Sequence, residues 1–153
     1  MSPRPDIRLT PEEQSALLGE APRAALATVD ADGFPHVVAM SFVARDGALY
    51  MTSYGKAQKV VNIRRNPKVA VMIDTGDQYA DFRGVMIRGR CEVIEDAAQV
   101  ELVIRESAAK RAVPGVPAQP GAGPLTSAPK RVVLKVTPEK VATWDHRKLG
   151  GRY

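Results

Sequence analysis

The sequence has little of what most enzymes work with. Its 153 residues include one cysteine, which excludes a disulfide scaffold and any cysteine-based zinc or iron–sulfur site and leads us to expect a reducing, cytoplasmic setting. Only two histidines are present, His36 and His146, too few for a histidine metal centre. The aromatics are one Trp, four Tyr and three Phe, and they are not interleaved with the Lys and Arg residues, which argues against nucleic acid as a partner. No run of about 18 apolar residues offers a membrane span, and residues 1–20 lack the apolar core of a signal peptide. G-x-S-x-G, Walker A and G-x-G-x-x-G patterns are absent, and no serine has a base near it in sequence. A chain so equipped either does no chemistry or takes it from an organic cofactor.

What the sequence does have is positive charge. Twenty-two Lys and Arg face 17 Asp and Glu, a net +5, which attracts anions. The length suits one domain over residues 1–153, with a polar arm at 1–9, a Pro/Gly-rich loop at 112–129 and a basic tail at 145–153.

Thr10-Pro11-Glu12-Glu13 combines an N-cap, a proline at the first helical position and a glutamate at the third, and predicts a short helix burying Leu17 and Leu18. Strands are expected at 25–29, 36–43, 48–53, 69–74, 85–95 and 131–137, with 140–144 as a candidate extension. His36 to Val43 is almost continuously apolar and reads as a strand buried on both faces. Asp46-Gly47 predicts a tight hairpin. Helices are expected at 55–65, ended by Asn66-Pro67, and at 97–111, with Val100, Val103 and Ile104 inward. Cys91 alternates with Gly89 and Val93 and reads as a core thiol. About six antiparallel strands with peripheral helices predict a mostly β (α+β) fold, a small closed or half-closed barrel.

One stretch carries chemistry. In Thr52-Ser53-Tyr54-Gly55-Lys56-Ala57-Gln58-Lys59, a strand ends in two hydroxyls, a glycine turns the chain, and a helix starts with two lysines. Free N–H groups and the positive end of the dipole, joined by hydroxyls and ammonium groups, make a phosphate seat. An ordinary strand–helix joint with Thr or Ser capping and solvated lysines has the same sequence.

The span HVVAMSFVARDGALYMTSYGKAQKVVNIRRNPKVAVMI resembles the core of the pyridoxamine-phosphate-oxidase-like, flavin-binding split β-barrel superfamily. The likeness lies in order and spacing: a strand, a D/G hairpin, a strand ending in Thr-Ser, then Lys59 seven residues before Asn66-Pro67. It covers most of residues 23–110. The resemblance implies a homodimer with cofactors at the subunit interface. The ring would lie along Val38, Ala39, Met40 and Ser41, with Thr52 near it and the phosphate on Ser53 and Lys59. Arg88 and the C-terminal segment, with Trp144 and Arg147, would complete the pocket from the same or the partner chain. Trp144 would stack on a ring or simply pack, and His36 would hydrogen-bond at the site or be structural. The loop would be a plain surface loop or a lid.

Departures from the family pattern narrow the activity. His36 and Ser41 stand where authentic pyridoxamine-phosphate oxidases have an arginine and a lysine gripping FMN. Trp144-Asp145-His146-Arg147 replaces their Arg-Leu-His-Asp-Arg substrate motif, so pyridoxamine oxidation is not expected. The chain is more similar to the actinobacterial branch that uses the deazaflavin coenzyme F420, whose phosphate continues into an acidic oligoglutamate tail. Lys56, Arg64 and Lys68 are available for such a tail. The expectation is an F420-dependent oxidoreductase passing hydride to a small organic acceptor. Its alternatives are an FMN-binding oxidoreductase of the same fold and a non-enzymatic carrier of a flavin or tetrapyrrole.

Overall fold

A computed structural model describes residues 5–112, 114–116 and 129–151. The Pro/Gly-rich loop, apart from its ends, and Arg152 of the tail lie outside the described residues.

The capping box closes helix α1, Pro11–Glu20: Thr10 Oγ1 accepts from Glu13 N and Glu13 Oε1 accepts from Thr10 N, both at 3.1 Å. Strand β1, Ala24–Val29, buries every second residue. Strand β2 spans only Pro35–Met40, shorter than the eight-residue run in the sequence, and it is not buried on both faces. Two reasons are visible. β2 is an edge strand paired with β1 alone, so Pro35, Val37 and Ala39 face outward. The next strand, β3 at Val43–Arg45, belongs to the opposite edge, so the chain must leave the ladder at Ser41-Phe42, where Phe42 turns into the core.

Asp46 and Gly47 then form the two-residue turn, both with positive φ, and return the chain as β4, Ala48–Tyr54. Helix α2 covers Gln58–Arg65, β5 Lys68–Thr75, β6 Arg83–Ile94 and α3 Ala97–Arg111. Strand β7 is continuous over Arg131–Asp145, joining two segments that the sequence leaves separate. Glu139 is the extra residue of a bulge in its ladder with β6, between the pairs Pro138–Gly89 and Lys140–Arg88. A side chain on Gly89 would collide with the Thr137 carbonyl there, so glycine is required by close approach.

All pairings are antiparallel, and the order β2-β1-β5-β6-β7-β4-β3 makes seven strands rather than six. The sheet curls into a half-barrel whose interior holds Leu26, Met51, Val71, Ile87 and Leu134. Cys91 belongs to this core, and burial pushes its thiol up to about 12, leaving it inert. A second cluster sets Val100, Val103 and Ile104 of α3 against Tyr50 and Val133 on the other face of β4 and β7. No helix among the described residues is long and apolar enough to cross a membrane.

The outward face of the sheet is unusual. Ala39, Ala25, Met72, Met86 and Ala142 are register partners across five strands and form one apolar row on that face, which is exposed at Ala39, Met72 and Ala142.

Candidate functional site

Helix α2 begins at Gln58, because Gly55 to Ala57 are spent on the turn out of β4. Its N-cap, Ala57, makes no side-chain capping bond, so neither Thr52 nor Ser53 caps the helix. The first turn holds Lys59 and no acid. A buried asparagine fixes the helix: Asn62 Nδ2 donates to Thr28 Oγ1 at 3.0 Å and to Asp30 Oδ1 at 2.7 Å, while its Oδ1 accepts from Gln58 Nε2 at 2.8 Å. Arg65 adds a bond to the Val29 carbonyl. An amide between Val60 and Ile63 looks like an interruption of the apolar stripe; its role depends on β1 lying beneath it.

Because side chains alternate along a strand, the two hydroxyls of β4 part company. Ser53 is buried and donates to the Tyr54 carbonyl at 3.1 Å, supporting the turn. Thr52 faces a cavity of about 260 Å³, with Ala39, Met40 and Ser41 at the end of β2, Ser107 and Arg111 of α3, and Arg131 at the start of β7. Arg131 Nη1 reaches Thr52 Oγ1 at 3.5 Å and the guanidinium lies 4.4 Å from the Tyr54 ring centroid. Arg131 also lines a second, larger groove of about 720 Å³ with Gly55, Lys56, Arg64, Glu95 and Lys130. The Lys59 ammonium is pushed below the ordinary lysine value, first by partial burial and then by the charge of Arg131.

The structure therefore gathers Ala39, Met40, Ser41 and Thr52 on one cavity, and puts Lys56 in the groove that shares Arg131 with it. Val38 lies on β2 next to these residues without lining the cavity. Ser53, Lys59, Arg88, Trp144 and Arg147 line neither space. Arg88 is exposed on the outward face of β6, paired in register with Lys140. Trp144 packs across Gly84, where any side chain would collide with the indole. Arg147 is bound to the buried Asp145 carboxylate, Nη2 to Oδ2 at 2.6 Å and Nε to Oδ1 at 2.9 Å. Thirteen residues of β7 separate Arg131 from Trp144, on the order of 40 Å of extended strand. The α2 cations are also less uniform than their sequence: Arg64 pairs with Glu95 at 2.7 Å.

Two cations of the site escape a reading of the sequence. Arg131 reaches Thr52 only because β7 pairs with β4, and Arg111 comes from the last turn of α3. Neither carries a local motif. His36 Nδ1 is buried without a hydrogen-bond partner among the described residues. No group of His, Cys, Asp and Glu among those residues could hold a metal ion.

Solved structures resemble this architecture over nearly the whole chain. The conserved hypothetical protein Rv2991 from Mycobacterium tuberculosis is 30% identical, with a TM-score of 0.84, over 100% of this chain and 95% of that one. A protein named F420 reductase is 29% identical, with a TM-score of 0.69, over 87% of this chain and 98% of its own. A FAD-binding protein from Mesorhizobium loti, 23% identical at a TM-score of 0.64 over 88% and 94% of the two chains, shares the fold. No curated protein matches the sequence. The family model described as pyridoxamine 5'-phosphate oxidase matches residues 10–145, from the N-cap of α1 to the end of β7, and the chain belongs to that family.

Proposed function

We propose that the chain is a homodimeric oxidoreductase that binds coenzyme F420 and serves hydride transfer between the reduced deazaflavin and a small organic acceptor. The observation that carries this reading is the position of Arg131, a residue that lines both the cavity at Thr52 and the groove at Lys56 and Lys130. One charge thus joins an oxyanion seat to a run of cations. A phosphate that continues into an acidic tail needs both; FMN, with one phosphate, needs only the seat. The 29% identity to a protein named F420 reductase supports the same direction.

In this reading Val38, Ala39, Met40 and Ser41 lie along the ring, Lys59 and Arg131 neutralise the phosphate beside Thr52, and Lys56 and Lys130 face the acidic tail. Ser53 shapes the turn that presents them. The deazaflavin, when bound, supplies the hydride chemistry. The residues lining the cavity include no carboxylate, imidazole or thiol among those described, so their work is to bind, orient and exclude water.

The exposed row from Ala39 to Ala142 is the surface we assign to a second copy of the chain. A contiguous apolar strip on a sheet face calls for a cover. Arg88 flanks that strip, and Trp144 and Arg147, remote from the cavity in their own chain, would reach a site only from the partner.

Titration of the apoprotein with F420 and with FMN, followed by fluorescence, tests the reading. Tighter binding of F420, weakened by salt, is expected. Equal or tighter binding of FMN by a protein that purifies yellow overturns the F420 assignment. Binding without F420H2-driven turnover of quinone, dye or tetrapyrrole acceptors reduces the protein to a carrier.

A further inference from the structure

We propose that Arg111 builds an oxyanion subsite at Ser41 that takes a phosphate or carboxylate group within the cavity shared with Thr52 and Arg131.

The argument starts at the end of α3. Its last turn holds Lys110 and Arg111, and cations are favoured at the negative end of a helix dipole. The two side chains then diverge. Lys110 donates to the carbonyls of Leu18 at 2.8 Å and Phe42 at 3.2 Å, and its ammonium lies 3.5 Å from the Phe42 ring centroid. It is a clamp that holds the link between β2 and β3, and with it the neighbour of Phe42, Ser41. Burial lowers this ammonium to about 8, as expected of a cation engaged only by carbonyls and a ring.

Arg111 turns toward the cavity. Its Nε donates to the Ser107 carbonyl at 3.2 Å, and Nη1 reaches Ser41 Oγ at 3.4 Å. The second contact is long, so it sets direction more than it binds. Neither contact neutralises the charge. Glu106, the carboxylate on the preceding turn, is held by Arg45 at 3.1 Å, and Glu101 sits with Arg105. Arg111 enters no ion pair among the described residues.

The cavity that Arg111 lines has hydroxyls from Ser41, Thr52 and Ser107, a second guanidinium from Arg131, and no Asp or Glu among the described lining residues. At about 260 Å³ it has room for an oxyanion group. A guanidinium fork with hydroxyls beside it matches the oxygens of a phosphate or carboxylate, and such charge-assisted bonds are the strong ones. Whether that group belongs to the cofactor or to the acceptor depends on the F420 reading; the subsite itself depends on the cavity.

The test uses full-length protein and inorganic phosphate as probe, followed by thermal shift with ionic strength held constant by chloride. Wild type is compared with Arg111→Gln, Arg111→Lys and, as a charge control on the same helix outside the cavity, Arg105→Gln. Phosphate is expected to bind Arg111→Gln about tenfold more weakly than wild type, with part of the loss restored in Arg111→Lys and none seen in Arg105→Gln. Equal phosphate binding by wild type and Arg111→Gln overturns the subsite. F420 and its phosphate-free deazaflavin core then identify the source. Loss of both phosphate binding and F420 affinity in Arg111→Gln, with the affinity of the phosphate-free core unchanged, assigns the subsite to the cofactor phosphate. Loss of phosphate binding with F420 affinity intact assigns it to an anionic acceptor. Failure of wild type to bind F420 removes the functional reading while the phosphate comparison still decides the subsite.

Discussion

At the start of β7, Arg131 stands near enough to Lys59 for its charge, with burial, to push the lysine below its ordinary value. At the end of the same strand, hydrogen bonds from Arg147 hold the Asp145 carboxyl below the usual carboxylate range, and the Arg147 guanidinium rises in return. Lys148 is engaged as well, 2.7 Å from Glu13 of the α1 capping box. Both segments read as basic in the sequence. One pairs Arg147 and Lys148 with carboxylates of the same chain and acts as a structural clasp, tying the turn after β7 to α1. Near the other, Lys56 and Lys59 take part in no ion pair among the described residues. Lysines without a carboxylate partner suit an anion from outside; a count of charges cannot distinguish the two cases.

The largest expected effect breaks the clasp. Asp145→Asn removes the anion that accepts from the backbone and the guanidinium of Arg147, and should cost about 2–3 kcal/mol in chemical denaturation. It should also alter the acid limb of the stability curve. A carboxyl whose folded value is depressed contributes stability in full above the unfolded value of about 4, and that contribution is lost as the pH falls through the folded value. Asp145→Asn should lack this part of the fall. An unchanged limb would show that the clasp stores no charge-dependent stability.

Next, Lys59→Ala should weaken F420 binding more than tenfold, a charge-assisted contact being worth about 1.5–3 kcal/mol, with denaturation unchanged. An unaltered dissociation constant would remove Lys59 from the site. The smallest effect belongs to the exposed groove: Lys56→Ala with Lys130→Ala should weaken F420 binding about three- to fivefold and flatten its salt dependence, with FMN unaffected. Equal losses for both cofactors would mean that the groove does not read an acidic tail.

Local chemistry made much of this fold readable. The α1 capping box, the Asp46-Gly47 hairpin and the full extent of α3 follow from residues within a few positions of each other. The failures share one cause. The break at Ser41-Phe42 exists because β2 and β3 lie on opposite edges of the sheet, and β7 runs through Pro138 because a bulge absorbs it. Both are facts of strand order, invisible to periodicity. The site divides the same way. Thr52, Lys56 and Lys59 sit on one strand–turn–helix joint and could be picked out together. Arg131 lies 79 residues from the threonine that it meets, and Ser53 was separated from Thr52 by the pleat of the strand.

Ala39 belongs to two surfaces, the wall of the cavity and the end of the apolar row across the sheet. A molecule seated in the one and a second chain laid on the other would meet at a single methyl group. If that contact changes either affinity, the effect is reciprocal: whatever factor the ligand gains from assembly, assembly gains from the ligand. Dilution would act as an inhibitor of binding, and the ligand as a glue for the pair.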